Sequence, residues 1–276
     1  MTIPELSLSD GSRVPALGQG TWHIGNDPDA RPTEIAALRA GIDAGMTLID
    51  TAEMYGDGAS ESVVGEAISP VREQVYLVVK VLPHNASRSG TTSACEESLE
   101  VLGTDWVDLY LLHWPGPHPI EETIEAFESL KDRGLIGAWG VSNFDPYDLA
   151  ALPAAPVVNQ VLYNPSRRGI EFDLLPMQRA YTPPIPAMAY SPIEQGRLLD
   201  HALLRSIAEH HGASVAQVLL AWAIRSGDVI AIPKSADPAR AVENAASASI
   251  ALTAEDLAAI DAVFPAPTTA MPLEVL

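Results

Sequence analysis

The sequence predicts a single α/β domain in the form of a (β/α)8 TIM barrel. Short apolar runs alternate with segments of helical periodicity, and this alternation occurs eight times along the chain. Strands that are apolar throughout are typical of a parallel sheet covered on both faces, and eight strand–helix repeats close into a barrel. The length of 276 residues also fits, because single barrels commonly have about 250 residues. We therefore treat residues 1–276 as one domain.

The predicted strands are the apolar runs that lie between turn-forming residues. They occupy residues 14–19, 47–50, 75–80, 107–113, 137–142, 157–163, 185–190 and 229–233. The segments between them have helical patterns and several end at a glycine. These predicted helices occupy residues 32–45, 60–69, 91–103, 123–134, 145–152, 171–180, 201–211, 214–226, 238–248 and 253–263.

The first residues predict an element outside the barrel repeat. The segment LSLSDGSRVP (6–15) has the pattern of a β-hairpin turning at Asp10-Gly11. We expect this N-terminal hairpin to cap the barrel floor. A doubly wound dinucleotide-binding sheet is the rival fold, and it requires G-x-G-x-x-G between the first strand and first helix. Gly18-Gln19-Gly20 is followed by TWHIG, which supplies no third glycine in register.

Composition excludes several classes of function. The 36 acidic and 16 basic residues give a net charge of −20, which argues against nucleic acid or anionic membranes as partners. No apolar run reaches the roughly 18 residues of a membrane helix, and the N-terminal segment lacks the apolar core of a signal peptide. Cys95 is the single cysteine, so no internal disulfide can form. We expect a cytoplasmic protein.

Polar residues cluster at the predicted carboxyl ends of the strands, where this fold places its functional sites. Taken singly, each has an ordinary structural explanation: a helix cap, a solvated lysine, a packed histidine or a packed tyrosine. Their occurrence together on one rim favours a shared function. These residues are Asp50, Tyr55, Lys80, His113, Trp114, Ser142, Asn143, Asn159, Gln160, Tyr190, Ser191, Lys234 and Ser235.

Four of these residues suggest a proton donor. We expect Asp50 and Lys80 to lie on neighbouring strands at matching heights, where the carboxylate keeps the ammonium charged. A charged ammonium lowers the pKa of a nearby phenol from about 10, so Lys80 would tune Tyr55. His113 can hydrogen-bond the same substrate oxygen. Such a group can protonate a carbonyl oxygen while another group attacks the carbon.

Hydrolysis and metal chemistry fit the sequence less well. Ser142 and Ser191 have no evident histidine partner, so no activated nucleophile is predicted. Neither H-x-H nor H-E-x-x-H occurs, so we expect a site without a metal and disfavour a metal-dependent hydrolase.

The motifs resemble the aldo-keto reductase superfamily along the whole chain. The similarity is greatest to bacterial members that reduce methylglyoxal, other small aldehydes or diketones such as 2,5-diketo-gluconate. The motifs are GQGTW (18–22), DTAEMYGDG (50–58), LVVKV (77–81), DLYLLHWP (108–115), WGVSNF (139–144), NQVLYN (159–164), AYSP (189–192) and IPKSADPARAVEN (232–244).

The resemblance implies NADPH-dependent reduction of small carbonyl compounds to alcohols. Asp50, Tyr55, Lys80 and His113 match the catalytic tetrad, and the hydride would come from a nicotinamide across the barrel mouth. Trp22, Tyr55, His113 and Trp114 would contact the substrate. The implied cofactor contacts are Thr21, Trp22, Asp50, Ser142, Asn143, Gln160, Tyr190, Ser191, Gly196, Arg197, Lys234, Ser235, Arg240, Glu243 and Asn244.

The segment KSADPAR is the strongest sign of the cofactor. Lys234 and Arg240 place two cations at the last strand–helix junction of an acidic protein, near a helix N-terminus that favours anions. This arrangement suits the 2′-phosphate of NADPH, and Ser235 adds a hydroxyl. Glu243 and Asn244 would hold the adenine.

Three loops are short compared with the larger members of the family. They follow Trp114, span residues 191–200 and follow Phe264, so we expect an open pocket and a loosely held cofactor. We expect a monomer. An alternative function is a redox-sensing regulator that keeps the barrel and the cofactor, and the complete tetrad favours the reductase over it.

Overall fold

The computed structural model describes residues 2–276 and contains a closed barrel of eight parallel strands. The strands lie around the barrel in the order in which they occur in the chain. Parallel bridges join Leu17 to Ala231 and Gly20 to Lys234, so the first and last barrel strands meet and the barrel itself has no open edge. The barrel strands are β3 (Gln19–Gly20), β4 (Leu48–Asp50), β5 (Tyr76–Val81), β6 (Val107–Leu112), β7 (Ile136–Ser142), β8 (Asn159–Leu162), β9 (Ala187–Tyr190) and β10 (Val229–Ala231).

Helices surround the barrel and bury the outer face of the strands. Each predicted helical segment contains a helix, with ends that differ by a few residues from the prediction. The helices are α1 (Arg31–Asp43), α2 (Ala59–Ile68), α3 (Arg88–Leu102), α4 (Ile120–Asp132), α5 (Pro146–Ala150), α6 (Leu174–Ala180), α7 (Ala202–His211), α8 (Val215–Ile224), α9 (Pro238–Ala246) and α10 (Ala254–Val263).

The N-terminal hairpin consists of β1 (Glu5–Ser7) and β2 (Arg13–Pro15), which pair antiparallel around Gly11. The hairpin lies at the amino-terminal ends of the barrel strands. Ile3, just before β1, lies beside Gly45, which comes before β4. The predicted hairpin at the barrel floor is therefore confirmed. The prediction of one strand over residues 14–19 was wrong, because Arg13–Pro15 pairs with β1 and the barrel strand begins only at Gln19.

Barrel closure depends on a glycine in β3. The Gly20 N–H donates to the carbonyl of Pro233 at 3.0 Å. A Cβ atom on residue 20 would lie 2.8 Å from the Ile232 carbonyl oxygen, which is closer than Cβ atoms tolerate. The short first strand thus approaches the last strand closely, and both end at the same mouth of the barrel.

The core is apolar and continuous between the strands and the helices. Strand residues such as Leu77, Val79 and Leu111 are inaccessible to solvent, as is Trp222 of α8. Within residues 2–276, no helix is both long enough and apolar enough to cross a lipid bilayer. At the carboxyl ends of the strands, several polar side chains are buried next to one another.

Candidate active site

A pocket of about 630 Å³ opens at the carboxyl ends of the strands. This volume is within the usual range of ligand sites, about 300–1,000 Å³. The sequence-predicted residues that line it are Thr21, Trp22, Asp50, Tyr55, His113, Trp114, Ser142, Asn143, Gln160, Tyr190, Ser191, Gly196, Lys234 and Arg240. Further lining residues that the sequence did not single out are Gly20, His23, Met54, Pro192, Ile193, Gln195, Leu199, Ile232 and Leu276.

Lys80 lies beneath the pocket with its ammonium fully enclosed. Its Nζ donates to Asp50 Oδ2 at 2.7 Å, to the Thr51 carbonyl at 2.9 Å and to the Tyr55 hydroxyl at 3.2 Å. An ammonium has three donors, so these three acceptors satisfy all of them. Burial lowers the pKa of Lys80, but the neighbouring Asp50 and Tyr55 more than offset it and raise the pKa above its ordinary value. The buried lysine is therefore an ammonium.

Asp50 holds this ammonium and is itself held by β8. Its Oδ1 accepts a hydrogen bond from Gln160 Nε2 at 2.7 Å, while Oδ2 accepts from Lys80. Burial raises the pKa of Asp50, and the donors on Lys80 and Gln160 oppose that change. Because both oxygens accept from N–H donors, we assign the carboxylate form. Gln160 Nε2 also contacts Met188 Sδ, so its Oε1 remains as an acceptor toward the pocket.

The strand register differs from the prediction that Asp50 and Lys80 stand at matching heights. Asp50 pairs with Val78, and Lys80 lies two residues farther along β5. Residues two apart on a strand face the same side, so both side chains still point into the barrel. The long lysine side chain spans the offset and makes the contact.

The predicted lowering of the Tyr55 pKa by Lys80 is present, but burial of the phenol outweighs it. Burial raises the pKa of Tyr55, the Lys80 ammonium lowers it and the Asp50 carboxylate raises it, with a net increase. The phenol is therefore protonated at neutral pH. Lys80 donates to its oxygen, so the phenol's own O–H is not used in that bond and is available to a group in the pocket.

His113 is a neutral imidazole at the pocket wall. Burial, followed by the Lys80 ammonium, lowers its pKa to about 2. Its ring meets the Tyr55 ring edge to face, with 5.9 Å between centroids. Nδ1 is buried without a hydrogen-bond partner. An N–H without an acceptor would be costly there, so we place the ring proton on Nε2.

Asn143 organises the next part of the wall. Its Nδ2 donates to the His113 carbonyl at 3.1 Å and to Ser142 Oγ at 3.2 Å, and its Oδ1 accepts from the Tyr190 hydroxyl at 2.9 Å. Ser142 in turn donates to the Gln160 carbonyl. These bonds fix the orientation of Tyr190, whose ring lines the pocket.

Lys234 and Arg240 form a cationic end of the pocket. Most basic side chains within residues 2–276 pair with a carboxylate, for example Arg72 and Arg179, whereas Lys234 and Arg240 do not. The two cations are thus available to an anion. The helix N-terminus itself is not, contrary to expectation, because the Asp237 side chain already accepts from the N–H groups of Ala239 and Arg240 at 2.8 and 3.1 Å.

Four predicted cofactor residues lie outside the pocket lining: Arg197, Ser235, Glu243 and Asn244. Arg197 donates to Glu194 at 2.8 Å, and Ser235 bonds to the backbone of Asp237. Asn244 is buried in α9, and the Glu243 carbonyl accepts from Gln217.

Unusual backbone conformations are concentrated at the pocket. His23, Asn143, Ser191 and Gln195 line it and have left-handed φ angles of 70°, 58°, 48° and 54°. Non-glycine residues adopt this region at a cost, and such strain is typical of functional sites.

The short C-terminal tail contributes to the pocket, and the openness of the pocket stays a prediction. Leu276 lines the pocket, and Glu274 pairs with Arg167 at 2.6 Å. Burial raises the pKa of Tyr190, and the backbone amide of Leu276 beside its hydroxyl opposes that increase. Although the tail has few residues, it therefore reaches the barrel mouth and forms part of the wall.

Comparisons with known proteins agree with this geometry. The model of the aldo/keto reductase family matches residues 16–264. Methylglyoxal reductase YeaE of Escherichia coli (strain K12) is 50% identical over 272 residues, which is 95% of each chain. Glyoxal reductase of Bacillus subtilis (strain 168) is 37% identical over 262 residues, 94% of this chain and 92% of that protein. The crystal structure of an aldo-keto reductase from Klebsiella pneumoniae in complex with NADPH has a TM-score of 0.96 at 45% identity and covers 100% of both chains.

Proposed function

This chain belongs to the aldo/keto reductase family, and we propose that it reduces small carbonyl compounds such as methylglyoxal to alcohols with NADPH. Bound NADPH would supply a hydride to the carbonyl carbon. Relatives that are named methylglyoxal reductase and glyoxal reductase support this choice of substrate. A neighbour of 45% identity crystallised with NADPH supports the choice of cofactor.

The main structural support for the proposed reaction is the contact between Lys80 and Tyr55. The ammonium donates to the phenol oxygen at 3.2 Å, so the phenol O–H is available for a substrate oxygen. When Tyr55 gives its proton to the carbonyl oxygen, the phenolate that remains lies beside a full positive charge. Asp50 keeps that charge in place at 2.7 Å. The arrangement thus favours proton donation from Tyr55 at neutral pH, and Tyr55 then regains a proton from solvent.

His113 and the two tryptophans would orient the carbonyl. The neutral imidazole, with its proton on Nε2, offers a second hydrogen bond to the substrate oxygen. Trp22 and Trp114 also line the pocket; the Trp114 ring lies 4.7 Å from the His113 ring, and Trp22 is 40% exposed. Apolar walls with a few placed donors are typical of sites that bind small molecules.

The residues present fit NADPH. The pocket extends from Tyr55 to the unpaired cations Lys234 and Arg240, which would meet the 2′-phosphate. Gln160 Oε1 and Ser142 would hold the carboxamide, and Tyr190 would lie against the nicotinamide ring. Ser191 and Gly196 would lie along the pyrophosphate. A redox-sensing regulator on the same fold is not favoured, because the curated relatives are named as reductases.

A carbonyl substrate panel tests the proposal. Methylglyoxal, glyoxal and an unactivated ketone are supplied with NADPH, and cofactor consumption is followed by absorbance. We expect turnover of the dicarbonyls, with NADH less effective than NADPH. NADPH binding without turnover of any panel member would instead support the regulator.

A further inference from the structure

We propose that Arg167 is a positioning residue that couples the cofactor loop (residues 191–197) to the C-terminal segment (residues 271–276). This inference rests on the proposed function, because it assigns the loop to NADPH and the pocket to the carbonyl. The new element is that NADPH binding and carbonyl binding are coupled through the Arg167 side chain, which lies outside the pocket lining.

Arg167 lies between the two segments and binds a carboxylate on each. Its Nε and Nη2 donate to Glu194 Oε1 at 3.2 and 3.1 Å, and its Nη1 donates to Glu274 Oε1 at 2.6 Å. The guanidinium is planar and rigid, so the position of one carboxylate constrains the position of the other. A lysine could not hold both in this way.

The cofactor loop is held in a strained conformation around Glu194. Residues 194 and 195 have φ angles of 50° and 54° without being glycine. The Glu194 side chain is buried and also accepts from Asn164 Nδ2 at 2.7 Å and from Arg197 at 2.8 Å. A strained backbone conformation persists only where the surrounding contacts hold it in place. These bonds to Glu194 therefore set the shape of the loop.

The C-terminal segment extends from Arg167 to the pocket. Glu274 is two residues before Leu276, which lines the pocket and whose amide lies beside the Tyr190 hydroxyl. Farther back, Met271 packs against Gly169. The bond from Arg167 to Glu274 is thus an ion pair that anchors the segment two residues before the part that forms the pocket wall.

These contacts connect occupancy of the cofactor site to the pocket wall. A ligand that fixes residues 191–196 also fixes Glu194, and through Arg167 it favours the placed position of Glu274 and Leu276. Coupling between two binding sites is reciprocal, so a placed tail should also favour the cofactor-bound loop. NADPH should therefore strengthen carbonyl binding by ordering the tail.

Substitutions of Glu274 and Arg167 test the two contacts of Arg167 separately. Glu274→Gln weakens the tail contact and leaves the Arg167–Glu194 pair intact. Because the coupling is reciprocal, we expect the KM for methylglyoxal and the Kd of NADPH to rise together by about three- to tenfold, with kcat within about twofold of wild type. Arg167→Met should raise the Kd further, because it also releases Glu194, and Arg167→Lys should restore only part of the loss. Glu96→Gln, which removes an exposed pair with Arg133, is the matched control and should change neither.

Hydrogen exchange gives a readout that does not depend on turnover. In the wild type, NADPH should slow exchange of the amides of residues 273–276, and in Glu274→Gln it should slow them much less. NADPH that binds without slowing exchange of the wild-type tail would overturn the coupling while leaving the proposed function intact. A Glu274→Gln variant with wild-type KM and exchange would also overturn it. Failure of NADPH to bind at all would overturn the proposed function and the coupling together.

Discussion

The Lys80 ammonium donates a hydrogen bond to the Tyr55 hydroxyl over 3.2 Å inside the barrel mouth. This bond has two consequences for proton donation. It occupies an acceptor site of the phenol and leaves the O–H for the substrate, and it places a positive charge where the phenolate would form. Burial alone raises the pKa of Tyr55, so the lysine offsets part of a cost that the site itself creates.

Replacement of Lys80 by methionine tests this electrostatic role. Lys80→Met should remove most of the carbonyl reduction, because the phenolate would lose its counter-charge. The pKa of Tyr55 should rise further, so the pH at which the remaining activity declines should move upward. Asp50→Asn should move the pKa of Tyr55 in the opposite direction, downward, because it removes a carboxylate that raises this pKa while Lys80 can stay charged beside the Thr51 carbonyl. Steady-state pH profiles of both variants that match the wild type would refute the tuning argument.

Arg240 should distinguish NADPH from NADH. Charge-assisted hydrogen bonds to the 2′-phosphate are worth roughly 10–150-fold in affinity. Arg240→Ala should therefore weaken NADPH binding by about 10–150-fold and leave NADH binding within about twofold. Fluorescence titration of both cofactors at one ionic strength measures this, with Lys131→Ala as an exposed control remote in the chain. Equal losses for the two cofactors would mean that Arg240 does not contact the phosphate.

Glu61 should make the protein less stable as pH rises. Burial raises the pKa of this α2 carboxyl from an ordinary 4.5 to about 7, and its Oε1 has no hydrogen-bond partner. The folded state therefore binds the proton more tightly than the unfolded state. The free energy of unfolding should decrease by about 3 kcal/mol between pH 4.5 and about 7, since one pKa unit is about 1.4 kcal/mol.

Glu61→Gln removes this ionisation. Because glutamine resembles the protonated acid, the variant should be more stable than the wild type at about pH 8 and similar to it at about pH 4.5. Chemical denaturation at the two pH values measures the difference. Glu73→Gln changes an exposed carboxyl and should leave the pH dependence as in the wild type. A Glu61→Gln variant whose stability follows the same pH curve as the wild type would show that the carboxyl does not titrate there.

Small activated carbonyls should be better substrates than bulky ones. Leu276 occupies part of the pocket wall, and the pocket of about 630 Å³ must hold the nicotinamide as well as the substrate. Contacts to substrate atoms far from the carbonyl therefore supply little binding energy to offset the cost of positioning the reacting group. Electron-poor carbonyls need less of this energy. Methylglyoxal should therefore have a higher kcat/KM than a steroid ketone. The two kcat/KM values, measured under the same conditions, test this prediction. A higher kcat/KM for the steroid ketone would refute it.

The sequence predicts the barrel and the rim well because both depend on local patterns. Apolar runs identify β4 to β10 within a few residues, and parallel strands bring Asp50, Lys80 and His113 to one mouth wherever the exact register falls. The first strand was misplaced because residues 14–17 are as apolar as a barrel strand, and only the pairing of Arg13–Pro15 with Glu5–Ser7 separates them from it.

Contacts between distant polar residues were not predictable in this way. Arg167 meets Glu194 and Glu274 from 27 and 107 residues away, and no periodicity links them. The pKa of Tyr55 depends on a balance between burial and the Lys80 charge, and the extent of burial cannot be read from residue types. The left-handed φ angles at Ser191 and Gln195 were not predictable either, because neither residue is the glycine that usually adopts them.

The most direct test of the account is the NADPH-dependent turnover of methylglyoxal by Tyr55→Phe. Phenylalanine keeps the ring against His113 and removes only the hydroxyl that Lys80 contacts. General acid assistance is worth roughly 10²–10⁴-fold, so kcat should fall by that factor while the Kd of NADPH, measured by fluorescence, stays within about twofold. A variant that binds NADPH normally and loses less than about tenfold in kcat would contradict the assignment of Tyr55 as the proton donor.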